Sequence, residues 1–251
     1  MSGIPRADIL GVRIDAQRFD DAVITLLDWA GQSQPRYVCT CPVYTLMVCR
    51  DNPTVHQAVD GADMVAADGM PVVWVQRRWG FPHAERVYGP DVIQAVCEKG
   101  TERGLRHFFL GGQPGVATRL AETLKARIPA LEVAGTCAPQ VEIGSVPDAA
   151  LVDTLNSAEA NILWVGFGSP KQDLWMSVYR PVLRAPLLIG VGAAFDFLSG
   201  AKPQAPRWMR RYGLEWAFRL GSEPRRLWRR YLVYNPRFVL HVLWQDLQRR
   251  R

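Results

Sequence analysis

The chain has 251 residues, of which 48% are hydrophobic and 22% charged, a composition typical of one large folded domain with or without an appendage. It contains no run of 18 uncharged apolar residues, and its N-terminal residues lack the apolar centre of a secretory signal. These features argue against a spanning helix and predict a cytoplasmic protein. The four histidines are dispersed, so we expect no metal site built from them.

The net charge of +6 is distributed unevenly along the chain. Residues 202–251 contain 13 Lys and Arg against 3 Asp and Glu, whereas residues 1–201 contain 17 against 21. Arginine dominates the basic end, and tryptophans recur beside it. A basic, aromatic-rich end attached to a slightly acidic body predicts an anionic partner, which could be a phospholipid surface, a polyphosphate substrate or nucleic acid.

Short apolar segments alternate with helical patterns through residues 1–201. After an apolar piece at 9–12 and a helix from Phe19, the predicted strands are residues 36–40, 63–67, 107–110, 131–136, 162–165 and 185–192. The helical patterns between them include 43–50, 72–76, 91–99, 116–127 and 147–157, and another starts near Leu174. This repeat of roughly 25–35 residues predicts an α/β fold with a mostly parallel, Rossmann-like sheet and helices on both faces.

The strand predicted at 162–165 ends in the sequence Gly-Phe-Gly-Ser-Pro and is followed by a helix. In open α/β sheets such strand ends present backbone N–H groups and a helix N-terminus to ligands, which favours a phosphate group. A Gly-x-Gly turn is a weak signal by itself, because it also serves merely to pack a strand closely against a helix.

Asp68 follows the strand predicted at 63–67, and Gly69 and Pro71 come directly after it. Its carboxylate should therefore lie at the carboxyl edge of the sheet, where it would act either as a helix cap or as a group for chemistry. Arg86 follows in a turn segment, where it could bind a phosphate through its planar guanidinium or pair with Glu85 at the surface.

Beyond residue 200 the pattern changes to helices without strands, at 207–212, 215–220, 224–232 and 238–247. We therefore predict two parts: an α/β catalytic domain at 1–201 and an Arg/Trp-rich helical appendage at 202–251. The amphipathic appendage should either pack on the domain or lie at a lipid interface.

Taken in order, five motifs resemble the WecG/TagA/CpsF family, glycosyltransferase family 26, over nearly the whole chain. The motifs are Ala-Asp-Gly-Met-Pro at 67–71, Glu-Arg-Val-Tyr-Gly at 85–89, Val-Gly-Phe-Gly-Ser-Pro-Lys-Gln at 165–172, Gly-Ala-Ala-Phe-Asp at 192–196 and Glu-Trp-Ala-Phe-Arg-Leu at 215–220. Together, five ordered motifs are far more specific than any one of them.

The resemblance implies an inverting glycosyltransferase that needs no metal and no cofactor. Its members transfer a sugar from a UDP-sugar to a polyprenyl-diphosphate-linked saccharide at the cytoplasmic face of the membrane, in the assembly of teichoic acid, enterobacterial common antigen or exopolysaccharide. A peripheral location at the inner face of the cell membrane is therefore expected. Family members can form dimers or trimers, so a homo-oligomer is also an open expectation.

The resemblance also assigns roles to residues of this chain. Asp68 falls at the position of the catalytic base, and an inverting transfer needs such a base opposite the leaving UDP. The substrate-binding positions match Thr40, Arg86, Gln172 and Asp196 in the domain, and Arg219, Arg226 and Arg229 in the appendage. Without a metal, arginines of this kind would stabilise the departing diphosphate.

Two segments depart from the family pattern. Thr40 is followed by Cys-Pro-Val-Tyr, where many members carry Thr-x-Asn-x-Glu, and Tyr88 stands where a threonine is usual. Both changes lie where the sugar should bind. The donor therefore stays open among UDP-N-acetylmannosamine, its uronic acid, UDP-glucose and UDP-glucuronic acid.

Two other functions compete with this prediction. A nucleotide-dependent oxidoreductase is disfavoured because no Gly-x-Gly-x-x-Gly follows the first strand. A non-enzymatic anion- or membrane-binding module would explain the basic end but not the polar residues predicted at the strand ends. For the same reason we expect no nucleic-acid partner, whose binding would be salt-dependent.

Overall fold

The computed structural model describes residues 4–142 and 146–249. Its strands are β1 (Arg6–Ile9), β2 (Val12–Asp15), β3 (Arg36–Cys41), β4 (Met64–Ala67), β5 (Arg106–Gly111), β6 (Glu132–Cys137), β7 (Ile162–Gly166) and β8 (Leu187–Gly190). Within the described residues they form one eight-stranded sheet in the order β1-β2-β4-β3-β8-β7-β5-β6. Every neighbouring pair is parallel except the antiparallel β1 and β2. The predicted α/β fold class is confirmed.

Helices cover both faces of this sheet. They are α1 (Phe19–Ala30), α2 (Val43–Asp51), α3 (Pro53–Asp60), α4 (Met70–Arg78), α5 (Gly89–Gly100), α6 (Val116–Arg127), α7 (Ala149–Ser157), α8 (Lys171–Tyr179) and α9 (Ala194–Leu198). Because side chains alternate across a strand, Leu163 and Val165 of β7 belong to one buried apolar cluster, and Ile162 and Trp164 belong to the other. Burial on both faces explains why this strand is a continuous apolar run.

The apolar piece at 9–12 spans the turn of a β-hairpin. Leu10 and Gly11 connect β1 to β2, and both have positive φ angles, 55° and 87°. Two consecutive residues of this kind form the tight turn that suits the twist of a hairpin. The apolar pattern runs unbroken through this turn, so the sequence alone did not indicate the hairpin.

The order of strands reverses in the middle of the sheet, between β3 and β7. The chain builds one half from β2, β3 and β4, crosses to the other half for β5, β6 and β7, and returns to place β8 between β3 and β7. Crevices outside the carboxyl ends of the strands at such a reversal are where open α/β sheets bind ligands.

The C-terminal segment is helical, as predicted. It consists of α10 (Arg207–Arg211), α11 (Glu215–Ser222), α12 (Pro224–Trp228), a π-helical turn at Arg229–Val233 and α13 (Tyr234–Arg249). Phe238 and Val242 of α13 are buried in the apolar cluster that includes residues of α2, and Asp246 accepts hydrogen bonds from Arg78 and Trp79. The segment is thus docked on the α/β body, and a domain boundary after residue 201 stays a prediction.

None of the helices in the part of the chain that the structure describes is long and apolar enough to cross a membrane.

Candidate active site

A cavity of about 1130 Å³ opens over the carboxyl ends of the central strands. The ends of β3, β4, β5, β7 and β8 form its floor, and α11, α12 and the π-helical turn form part of its wall. Seven of the eight predicted site residues line it, namely Thr40, Asp68, Arg86, Gln172, Asp196, Arg219 and Arg226. The eighth, Arg229, is exposed outside this lining.

Asp68 directly follows β4, and its side chain is 19% exposed. The alternative role as a helix cap is not observed, because Gly69 caps α4 and no side chain bonds to that helix end. The Oδ1 atom has no hydrogen-bond partner among the described residues. Burial raises the pKa of the Asp68 carboxyl to about 7, although the guanidinium of Arg86 opposes the rise. A carboxyl with this pKa is suited to accept a proton near neutral pH.

Arg86 does not pair with Glu85 at the surface, because the Glu85 carboxylate accepts a hydrogen bond from the Phe19 amide. Its Nε donates to the backbone carbonyl of Asp68 at 3.1 Å, and its Nη2 donates to Glu215 at 2.8 Å. The same Nη2 lies 3.6 Å from Asp68 Oδ1, too far for a hydrogen bond. Arg86 therefore links the end of β4 to the appendage.

Thr40 and Gln172 connect neighbouring strand ends at the cavity floor. Thr40 Oγ1 donates to the Gly190 carbonyl at 2.8 Å and joins β3 to β8. The Gln172 Oε1 accepts from the Gly168 amide at 3.1 Å and from the Gly192 amide at 2.9 Å. Both glycines have positive φ, which lets their N–H groups converge on one oxygen. The Gly168 amide, which lies in the turn expected to bind a phosphate, therefore already has an acceptor, as does the Gly192 amide.

Asp196, at the start of α9, sits in a chain of ion pairs. Lys202 Nζ lies 2.9 Å from Asp196 Oδ2 and 3.3 Å from Glu223 Oε2, and Glu223 also holds Arg226 at 2.6 Å. The predicted nucleotide-side carboxylate is therefore tied to the appendage through Lys202. Arg226 lines the cavity, but its Nε and Nη2 both donate to the Glu223 carboxylate.

Arg219 and Arg230 supply positive charge to the cavity without an ion pair to any described carboxylate. The guanidinium of Arg219 lies 5.2 Å from the centroid of the Phe197 ring, and that of Arg230 lies 4.5 Å from the Tyr44 ring. Stacking on a ring holds a cation in place while leaving its N–H groups free to bind an anion. Burial lowers the pKa of Arg230 from its ordinary value.

The model of the Glycosyl transferase WecG/TagA/CpsF family matches residues 7–251, nearly the whole chain. The chain belongs to the WecG/TagA/CpsF family. This confirms the resemblance carried by the five motifs and shows that the protein is a glycosyltransferase, so the oxidoreductase and the non-enzymatic module are set aside.

One curated relative is the N-acetylglucosaminyldiphosphoundecaprenol N-acetyl-beta-D-mannosaminyltransferase of Bacillus spizizenii strain W23. It is 32% identical over 193 residues, which cover 76% of this chain and 72% of that protein. Its name describes a sugar transfer to a polyprenyl-diphosphate-linked sugar.

The structure adds site residues of this WecG/TagA/CpsF chain that the sequence did not single out. Glu215, Lys202 and Arg230 line the cavity, together with Tyr44 and Tyr88 of the two segments that depart from the family pattern. Glu215 stands inside one of the five motifs, so a signal for it existed. Arg230 is adjacent to the predicted Arg229, and only the course of the helix distinguishes the two.

Proposed function

We propose that this glycosyltransferase moves a sugar from a UDP-sugar to a polyprenyl-diphosphate-linked saccharide, inverting the anomeric centre and requiring no metal ion. The observation that carries the proposal is the environment of Asp68. Its side chain lines the cavity and is 19% exposed, and its pKa is raised to about 7 by burial. Arg219 and Arg230 line the same cavity and act electrostatically on Asp68. A base together with cations in one cavity is what a displacement with a departing diphosphate needs.

In the proposed step, Asp68 removes the proton of the acceptor hydroxyl. The acceptor oxygen forms its bond to the anomeric carbon while the bond from that carbon to the UDP oxygen breaks. The electron pair of the broken bond leaves with UDP, and the proton stays on Asp68 until solvent removes it. Attack from the face opposite the leaving group gives inversion.

The departing UDP gains negative charge, and Arg219 and Arg230 are the groups best placed to stabilise it. Neither is neutralised by a described carboxylate, whereas Arg86, Lys202 and Arg226 each have an acidic partner. Prearranged cations in a partly buried site stabilise developing charge more effectively than the same groups in water. Metal independence rests on this arrangement and stays a prediction.

The lipid-linked acceptor is supported by the named activity of the Bacillus relative and by the surface of the appendage. On α13, Leu240, Leu243, Trp244 and Leu247 are exposed at helical spacing, opposite the buried Phe238 and Val242. An exposed apolar stripe on a strongly basic segment suits the interface of an anionic membrane. We propose that this face rests on the membrane and brings the cavity to the acceptor.

The family predicts a UDP-sugar as the donor, but the identity of the sugar stays open. Tyr88, one of the two departures from the family pattern, is buried, and its hydroxyl donates to Glu215 and accepts from Gln204. Its polar atom is therefore engaged with the appendage segment. We retain UDP-N-acetylmannosamine, its uronic acid, UDP-glucose and UDP-glucuronic acid as candidate donors.

The test measures UDP release from each of these UDP-sugars with a polyprenyl-diphosphate-linked N-acetylglucosamine acceptor in detergent, in the presence of a chelator. We expect turnover that depends on the acceptor, survives the chelator and disappears in Asp68→Asn. The anomeric configuration of the product is read by NMR. Retention at the anomeric carbon, or full activity in the Asp68 variant, would rule out the mechanism.

A further inference from the structure

Glu215 begins α11 and is buried at 8% exposure beside the proposed base. Its two carboxylate oxygens have different partners. Oε2 accepts from Arg86 Nη2 at 2.8 Å, and Oε1 accepts from the Tyr88 hydroxyl at 3.1 Å. Burying a carboxylate is costly unless such donors satisfy it. Glu215 is therefore held firmly, and the mechanism proposed above gives it no role.

Arg86 is shared unequally between two carboxylates. Its Nη2 makes a short hydrogen bond to Glu215 but stays 3.6 Å from Asp68 Oδ1, a distance of attraction without a hydrogen bond. Its Nε is fixed on the Asp68 backbone carbonyl, and its guanidinium carbon lies 3.9 Å from the centroid of the Tyr88 ring. A movement of less than about 1 Å would bring Arg86 into a charge-assisted hydrogen bond with the Asp68 side chain.

We infer that Glu215 is a positioning residue that holds Arg86 off the Asp68 carboxylate and so preserves the proton affinity of the base. A carboxylate in close contact with a guanidinium is a weaker base, because the ion pair stabilises its ionised form. Glu215 takes the short bond in place of Asp68. The inference rests on the proposed role of Asp68 and adds to it the residue that sets its basicity.

Tyr88 supports this arrangement from the other side. Burial raises the pKa of Tyr88, so its hydroxyl remains a neutral donor to Glu215. The hydroxyl also accepts from Gln204 Nε2 at 3.1 Å, and Arg210 lies over its ring at 5.5 Å. A threonine, usual at this position in the family, is too short to make this contact.

The charges around Asp68 come from several elements, and they act in opposite directions. The desolvation that comes with burial and the negative charge of Glu215 raise its pKa, whereas Arg86, Arg219 and the Gly89 amide lower it. Arg230 contributes a further cation from the π-helical turn. Removing Glu215 takes away one raising influence and frees Arg86, so both changes should lower the proton affinity of Asp68.

The experiment titrates Asp68 by infrared difference spectroscopy against Asp68→Asn, in the wild type, Glu215→Gln and Glu215→Ala. We expect the midpoint to fall by at least about one pH unit in Glu215→Gln, equivalent to a tenfold weaker base, and further in Glu215→Ala. The low-pH limb of kcat should move by the same amount, and plateau kcat should fall about three- to tenfold because proton abstraction follows base strength.

Asp246→Asn is the matched control, because Asp246 is an appendage carboxylate that binds Arg78 and Trp79 away from the cavity. It should leave the midpoint of Asp68 unchanged. An unchanged midpoint in both Glu215 variants, or an equal fall in Asp246→Asn, would overturn the inference. The infrared titration needs no turnover, so it still tests the role of Glu215 if the UDP-sugar assay fails and the proposed function with it.

Discussion

Arg230 lies over the ring of Tyr44, with 4.5 Å between the guanidinium carbon and the ring centroid, inside the cavity wall. Tyr44 in turn meets the ring of Tyr234 edge-on at 5.2 Å, so three side chains from α2 and the helical appendage pack together. Arg229 instead stacks on the exposed Trp228, outside the lining. Two adjacent arginines therefore have different surroundings.

This difference predicts that Arg230→Ala reduces kcat/KM by about 100-fold, the usual effect of removing one donor that stabilises developing charge. Arg229→Ala, the matched control, should stay within about threefold of the wild type, because Arg229 is exposed and lies outside the cavity lining. The measurement is UDP release at saturating acceptor. Equal losses in the two variants would show that the arginines act through general charge and not through position.

A second prediction concerns Asp68 and its pKa of about 7, raised by burial. As a base it must be ionised, so kcat/KM should rise with pH and level off above about pH 7. Asp68→Asn should lose at least about 1,000-fold in turnover, at the level of a general base contribution. A pH profile without this limb in the wild type would contradict the assignment.

A third prediction is that the stability of the folded protein falls as pH rises, whereas kcat/KM rises. The folded pKa lies above the unfolded value of 3.8, so the stability that protonated Asp68 provides is lost as pH rises through about 7. Asp68→Asn avoids ionisation, and its melting temperature should gain on the wild type as pH rises from about 4 to 7 and keep a constant lead above. Thermal unfolding scans at several pH values check this, and a lead that shrinks with pH would refute it.

The sequence was sufficient for the elements whose signal is local. Buried strands such as β7 are apolar runs between turn residues, and Asp68 was placed correctly at a strand end because Gly69 and Pro71 mark the following helix. The helix α3 was missed although it has a local signal, since Asn52 caps it and Pro53 begins it.

Features that depend on helix phase or on distant contacts could not be predicted in the same way. The π-helical turn at Arg229–Val233 departs from the regular helical period, so the sequence spacing does not show which of the two adjacent arginines faces the cavity. The bond from Arg86 to Glu215 joins residues 129 positions apart, and no local pattern encodes it. Glu215 belongs to the appendage and is buried by contact with Arg86 and Tyr88 of the α/β body, which the sequence does not show.

A fourth prediction tests the bridge that Gln172 makes between two glycine turns. Gln172→Leu keeps the size of the side chain but leaves the amides of Gly168 and Gly192 without their acceptor. The free energy of unfolding should fall by about 1–3 kcal/mol, because half-buried N–H groups lose a hydrogen bond. Urea unfolding measures it, with Gln113→Leu on the exposed part of the same cavity as control. Unchanged stability in Gln172→Leu would show that water replaces the bridge.

The last prediction concerns the exposed stripe on α13. Leu240 and Trp244 are 67% and 59% exposed, one helical turn apart, and the surrounding segment is strongly basic. If the stripe enters a lipid interface, Leu240→Glu with Trp244→Glu should weaken binding to phosphatidylglycerol vesicles by at least about tenfold, since it removes two apolar contacts and adds repulsion. Added salt should weaken vesicle binding by the wild type as well.

The control is Ile24→Glu on α1, which also changes an exposed apolar residue, 50% exposed. Because Ile24 lies outside the appendage, this variant should bind vesicles like the wild type. Turnover on a short-chain acceptor in detergent should survive the double change, because neither residue lines the cavity. Vesicle binding that is equally lost in Ile24→Glu, or retained in the double variant, would mean that α13 is not the membrane-facing surface.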